Sequence, residues 1–144
     1  VVACNTISAT CLKEIEQIAR AAGKEFSVVA NELLDEAVRM QRCQGIVFTE
    51  GTTGRRARIA GTGIEVWEVI ATYKGVDEDF NRSQKAYHWL TGQQLRSAIG
   101  YYKTYPEEID LLIKQNERLT EDHIRKRHPF LIRDRRLNII LMKI

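Results

Sequence analysis

Thr6-Ile7-Ser8-Ala9-Thr10-Cys11 (TISATC) alternates small polar and apolar residues near the start of the chain. That two-residue period predicts a half-buried β-strand. No second alternating run stands nearby; a long helical pattern follows instead. A lone strand leaves its backbone donors and acceptors unpaired, so the stretch demands a second edge from somewhere.

The next residues narrow the choice. Ile15, Ile18, Ala19 and Ala22 recur at i, i+3, i+4 and i+7, one face of a helix. Gly23 suits the position just past a helix end, where a left-handed backbone costs little. Ser27 reads as the N-cap of a second helix, whose apolar face is Ala30, Leu33, Leu34, Ala37, Val38 and Met40. Glu32, Asp35, Glu36 and Arg39 take the other side. A strand and two helices within about 40 residues rarely bury enough surface to fold alone. The economical completion is a second copy of the chain. Two TISATC strands would pair antiparallel across a two-fold axis, and four helices would close over Ile7, Ala9 and Cys11.

From Cys43 the texture changes. Gly, Thr and β-branched residues predict short strands at Gly45–Thr49 and Ala57–Ala60 around a turn at Gly51–Gly54. Helices are expected over Val66–Tyr73, Asp77–His88 with Asp77 as cap, Thr91–Lys103 with Thr91 as cap, and Pro106–Arg118. Glu107 and Glu108 suit the first turn of the last of these, against the helix dipole, and Asp77, Glu78 and Asp79 read as dipole partners of theirs. The end differs again: RKRHPFLIRDRR is basic and LNIILMKI is apolar and β-prone.

Composition bounds the function. The chain has 144 residues, with 22 basic against 19 acidic and a formal net charge of +3. Anion binding must therefore come from local clusters and not from the total. Three cysteines, Cys4, Cys11 and Cys43, form no Cys-x-x-Cys pair. They read as small buried or semi-buried thiols in a reducing cytoplasm, not as disulfides or zinc ligands. No apolar run approaches the roughly 20 residues that span a bilayer, and VVACN is too short and uncharged for a signal peptide. His88, His123 and His128 lack metal-ligand spacing, and no nucleophile–base pair stands out. The expectation is a chain with no catalytic residue, metal, cofactor or membrane span. Gly51-Thr52-Thr53-Gly54-Arg55-Arg56 lacks the Gly-Lys-Ser/Thr of a phosphate loop. It reads as a hairpin turn with exposed arginines, or as DNA-backbone contacts by Arg55, Arg56 and Arg58. Trp67, Trp89, Tyr101 and Tyr102 fall at helical spacings and read as core or interface packing.

Over Asn5 to Arg42, the order alternating strand, helix, Gly turn and Ser-capped helix resembles the ribbon-helix-helix dimer family of DNA-binding proteins. That resemblance implies outward strand residues in the DNA major groove, here Thr6, Ser8 and Thr10. It also implies a phosphate held at the start of the second helix, by Ser27, Val28 and Lys24. Thr and Ser lack the two-point hydrogen bonding that makes Arg–guanine or Asn–adenine pairs discriminating. Dimerisation is the firmer implication of this segment.

From Gly45 to about Thr120 the marks are Gly61-Thr62-Gly63-Ile64 with Val66-Trp67, Leu90-Thr91, Arg96-Ser97-Ala98 with Tyr101-Tyr102, and Pro106-Glu107-Glu108-Ile109. They resemble a small homeodomain-like family widespread in bacteria and still labelled as of unknown function. Glu65 stands where that family usually has Pro, and Gly54-Arg55-Arg56 where it usually has Gly-Lys-Pro. Its members are commonly antitoxins encoded beside a PIN-like nuclease toxin. With a ribbon-helix-helix segment in front, the whole resembles a two-module antitoxin of the VapB type. The fold class implied is mainly α: residues 5–42 a ribbon-helix-helix dimerisation segment, 45–120 a helix-turn-helix module with a short β-hairpin, and 121–144 a basic and apolar tail. Within the module Gln93, Gln94 and Arg96 sit where a recognition helix meets bases; a solvated polar face is the competing account. The partners implied are a second copy, operator DNA and the nuclease toxin. Toxin binding points to Arg125, Arg127, Phe130, Arg133, Arg135, Arg136, Ile139 and Leu141. There the arginines would face an acidic surface, unless the tail folds back on its own chain. A stand-alone regulator of the same fold, without a toxin, is the alternative.

Overall fold

The computed structural model describes residues 7–51 and 54–127. They are mainly helical, with one two-stranded antiparallel hairpin. The chain divides into two compact units, Val1–Gln44 and Gly45–Ile144.

The first unit is a pair of packed helices, α1 (Ala9–Ala22) and α2 (Phe26–Arg42). Half of the predicted strand is overturned, because Ala9, Thr10 and Cys11 form the first turn of α1. Ser8 is the reason: its side chain accepts a hydrogen bond from the Cys11 N–H at 3.2 Å, the N-cap that a small hydroxyl residue supplies. Thr6 lies outside the described residues. Gly23 closes α1 at φ 64° as expected, and the Lys24 N–H returns to the Ala19 carbonyl at 3.0 Å. Ser27 is not the cap of α2. The Val29 N–H donates to the Glu25 carbonyl, so the helix opens at Phe26 with Ser27 inside its first turn. Ala19 and Val29 are buried, but Ile18, Phe26, Val28, Leu34, Val38 and Met40 are exposed.

The second unit starts with the hairpin β1 (Ile46–Gly51) and β2 (Gly54–Ile59), in register from Ile46 opposite Ile59 to Gly51 opposite Gly54. Gly45 takes φ 82°, and a Cβ there would lie 2.7 Å from the Ser97 hydroxyl, so only glycine fits. Four helices follow: α3 (Val66–Gly75), α4 (Phe80–Ala86), α5 (Gly92–Thr104) and α6 (Pro106–Arg127). α3 packs on α4, α5, α6 and β2, while α5 also packs on the hairpin and on α6. Ile46, Ile59, Val66, Val69, Ile70, Leu95, Ala98, Tyr101 and Ile109 fill the space between them. Tyr101 is fully buried with its hydroxyl donated to the Glu108 carboxylate at 3.0 Å. That bond offsets the cost of burying a phenol.

Three further expectations change. The helix expected from Asp77 starts at Phe80 with Asp79 as its cap. The Asp77 and Glu78 N–H groups are used in closing α3 on the Lys74 and Tyr73 carbonyls, which puts both residues at φ 57°. α6 runs on to Arg127, past the expected end at Arg118. Cys43 is buried but Cys11 is exposed, since it sits on the first turn of a helix and not on the inner face of a strand.

Candidate nucleic-acid interface

α4 and α5 are joined by a short turn, and both pack on α3. The turn is fixed by its own residues. Leu90 is buried, and its N–H donates to the Tyr87 carbonyl at 2.9 Å. The Gln84 amide donates to the carbonyls of Leu90 (2.6 Å) and Tyr87 (3.3 Å). The Tyr87 hydroxyl donates to the Glu68 carbonyl on α3 at 3.3 Å. Trp89, expected in core or interface packing, is 55% exposed and meets Tyr87 edge-on at 5.8 Å.

α5 opens with a capping box. The Gln94 N–H donates to the Thr91 hydroxyl at 3.1 Å, and the Thr91 N–H donates to the Gln94 side-chain oxygen at 2.9 Å. Leu95, Ala98, Ile99 and Tyr101 face inward. Gln93, Arg96, Gly100 and Lys103 are exposed, at the three- and four-residue spacings of one helix face. The Arg96 guanidinium lies 5.8 Å over the Phe80 ring, so its stem is aimed across the start of α4. Of the two glutamines, Gln93 is the exposed one. Gln94 has its oxygen committed to the cap, and a two-point bond to adenine would break that cap.

The other sequence candidates are spread over several places. Ser8 caps α1, and Thr10 is exposed on the first turn of that helix. Lys24 pairs with both carboxylate oxygens of Glu32 at 3.1 Å, and Ser27 is exposed on α2. On the hairpin, Arg55 donates to the Phe48 carbonyl at 3.2 Å and stands 3.7 Å from Glu50, while Arg58 pairs with Glu65 at 3.3 Å. These bonds hold both arginines against the protein. Arg56 lines a groove described below. Arg125 and Arg127 are exposed on the last turn of α6, where cations complement the helix dipole. Thr6, Phe130, Arg133, Arg135, Arg136, Ile139 and Leu141 lie outside the described residues.

Two features escaped the sequence. Lys74 on α3 forms an ion pair with Asp110 on α6, and the Tyr102 hydroxyl donates to the same carboxylate at 3.1 Å. Lys74 also lies 4.7 Å over the Tyr102 ring. The second is an open groove of about 710 Å³ between the start of α3 and one face of α6. Trp67, Leu111, Leu112 and Leu119 line it, with Glu65, Glu68, Glu108 and Arg56 also on its walls. The series Glu108, Leu111, Leu112, Gln115, Leu119 has the helical period that could have signalled half of it. Burial, then the neighbouring Glu65 charge, pushes the Glu68 carboxyl above its ordinary range.

Among the described residues no group of three or more His, Cys, Asp or Glu side chains could hold a metal ion. No helix among them is long and apolar enough to cross a membrane. No family model, curated protein or solved structure matches the chain.

Proposed function

We propose that this chain is a non-enzymatic, dimeric, cytoplasmic DNA-binding regulator of the VapB antitoxin type, one that represses its own operon and neutralises a PIN-like nuclease. The exposed row Gln93, Arg96, Gly100 and Lys103 on α5 carries the DNA half of the proposal. The row combines a donor–acceptor amide, a guanidinium and an ammonium on a helix whose start is capped and whose back is buried, the layout of a major-groove reader. Gly100 adds support. Nothing of the protein lies within 4 Å of where its Cβ would stand, so internal packing does not require glycine there. A glycine inside a helix costs roughly 0.5–1 kcal/mol against alanine, and close approach of a DNA backbone would justify it. The open apolar sides of α1 and α2 support the dimer. Basic residues beyond Thr120 suit an acidic nuclease surface.

The test is operator binding by the full chain at two salt concentrations. Arg96→Ala should weaken specific binding by about 1–3 kcal/mol and relax one base position, while Lys103→Ala should lower the salt slope by about 1. Unchanged binding in both variants removes α5 as the reader. Co-expression with the neighbouring gene product separates the two regulators: a co-purifying small nuclease marks the antitoxin. Its absence, with operator binding intact, leaves a regulator without a toxin.

A further inference from the structure

The groove between α3 and α6 presents apolar side chains inside the second unit. Leu111 and Leu119 are 56% and 68% exposed on its α6 wall. Trp67, from the start of α3, closes the other side and donates its indole N–H to Glu65 at 2.5 Å. Water on a leucine face next to an indole is unfavourable, at roughly 25 cal/mol per Å² of apolar area. An occupant should therefore be apolar along one side. It should also carry cations, because three carboxylates (Glu65, Glu68 and Glu108) stand on the walls with Arg56, and Arg58, which pairs with Glu65, is the other guanidinium beside them.

Residues 128–144 have that chemistry. Phe130, Leu131, Ile132, Leu137, Ile139, Ile140 and Leu141 are apolar, and Arg133, Arg135, Arg136 and Lys143 outnumber the single Asp134. The reach is sufficient. From Arg127, where α6 ends, Leu119 lies about 12 Å back along the helix and Glu108 about 28 Å, at ~1.5 Å per residue. The segment after Arg127 extends to about 55 Å.

We propose that the groove lined by Trp67, Leu111, Leu112 and Leu119 is the docking site for the chain's own C-terminal segment, residues 128–144. The arginines go to the carboxylate walls and the apolar residues to the leucine face. Docking shields an apolar run that would otherwise template aggregation. It also means that a partner seeking the same arginines must first displace them from Glu65, Glu68 and Glu108.

Trp67 reports on the groove directly. With Trp89→Phe the full chain keeps a single indole, and its quenching by acrylamide measures how far the groove is covered. The parent should be well shielded. Leu111→Glu with Leu119→Glu, both at exposed positions, should raise quenching severalfold with no loss of helical circular dichroism. A chain ending at Arg127 should show the same rise, reversed by a synthetic peptide of residues 128–144. Equal quenching in parent, double variant and shortened chain overturns the proposal. A rise in the shortened chain alone also overturns it, since the segment then covers Trp67 without the leucine wall. Shielding that fades on dilution of the parent assigns the docked segment to a second copy and overturns docking in the same chain.

Discussion

The two units differ in where their apolar side chains end up. In the second, the hairpin and four helices enclose Ile59, Val66, Ile70, Leu95 and Tyr101 until water is excluded. In the first, α1 and α2 bury Ala19 and Val29, while Leu34 and Val38 stay 60% and 53% exposed. Both sequences are amphipathic at helical spacing. The difference lies in the number of elements available to close over an apolar face. Two helices have one mutual contact surface, and the rest of each apolar stripe faces outward. The second unit thus encloses a core of its own, while the first leaves much of its apolar stripe exposed.

The sharpest way to break this contrast is a pair of truncations at leucines. Leu95→Ala should cost the second unit about 3 kcal/mol, the price of lost burial plus the cavity left behind. Urea unfolding followed by tryptophan emission, with both Trp67 and Trp89 in this unit, reads it, and a loss below about 1 kcal/mol would mean that this core is not tightly packed. Leu34→Ala in the same assay should change the second unit by less than about 0.5 kcal/mol. The open face is tested next. Leu34→Glu with Val38→Glu should weaken self-association at least about 30-fold, or roughly 2 kcal/mol, if a second copy covers it. Sedimentation across a micromolar dilution series measures the change. A parent that is already monomeric there would remove the dimer from the proposed function.

How much of this could be read in advance depended on whether one residue's role was settled by its neighbours in sequence. The hairpin was legible because β-branched runs flank a glycine turn, and the structure places the limits of β1 and β2 within three residues of those expected. Thr91 was legible because a threonine followed three residues later by glutamine has one good use at a helix start. TISATC misled because Ser8 has two: alternation suggests a strand, and a hydroxyl three residues before the Cys11 N–H makes a cap. The acids Asp77, Glu78 and Asp79 were equivalent by composition, and the closing bonds of α3 decided between them. For the site the limit is sharper. Sequence placed Gln93, Gln94 and Arg96 together on one helix, yet only side-chain geometry shows Gln94 spent on the cap and Arg55 spent on Phe48. The groove joins Trp67 to Leu111 across the fold, a distance that no local pattern encodes.

The smallest effect concerns the tie between α3 and α6 in the second unit. The hydrogen bond from Lys74 holds the Asp110 carboxyl below its ordinary 3.8, with the Tyr102 hydroxyl adding to it. The same bond holds the Lys74 ammonium above its ordinary 10.5. A carboxyl lowered on folding contributes stability that is present above its unfolded value and lost as pH falls through the folded one. An amine raised on folding contributes stability that is present below its unfolded value and lost as pH rises through the folded one. The pair therefore stabilises the second unit between those two limits and fails on both sides. Both side chains are more than a third exposed, so screening limits the contribution to about 0.5 kcal/mol. Urea midpoints of the parent and Lys74→Met should differ by that amount at pH 7, and the gap should close below the carboxylate range. A gap that persists at pH 2 would assign the effect to the lysine stem packed on the Tyr102 ring instead of the charge.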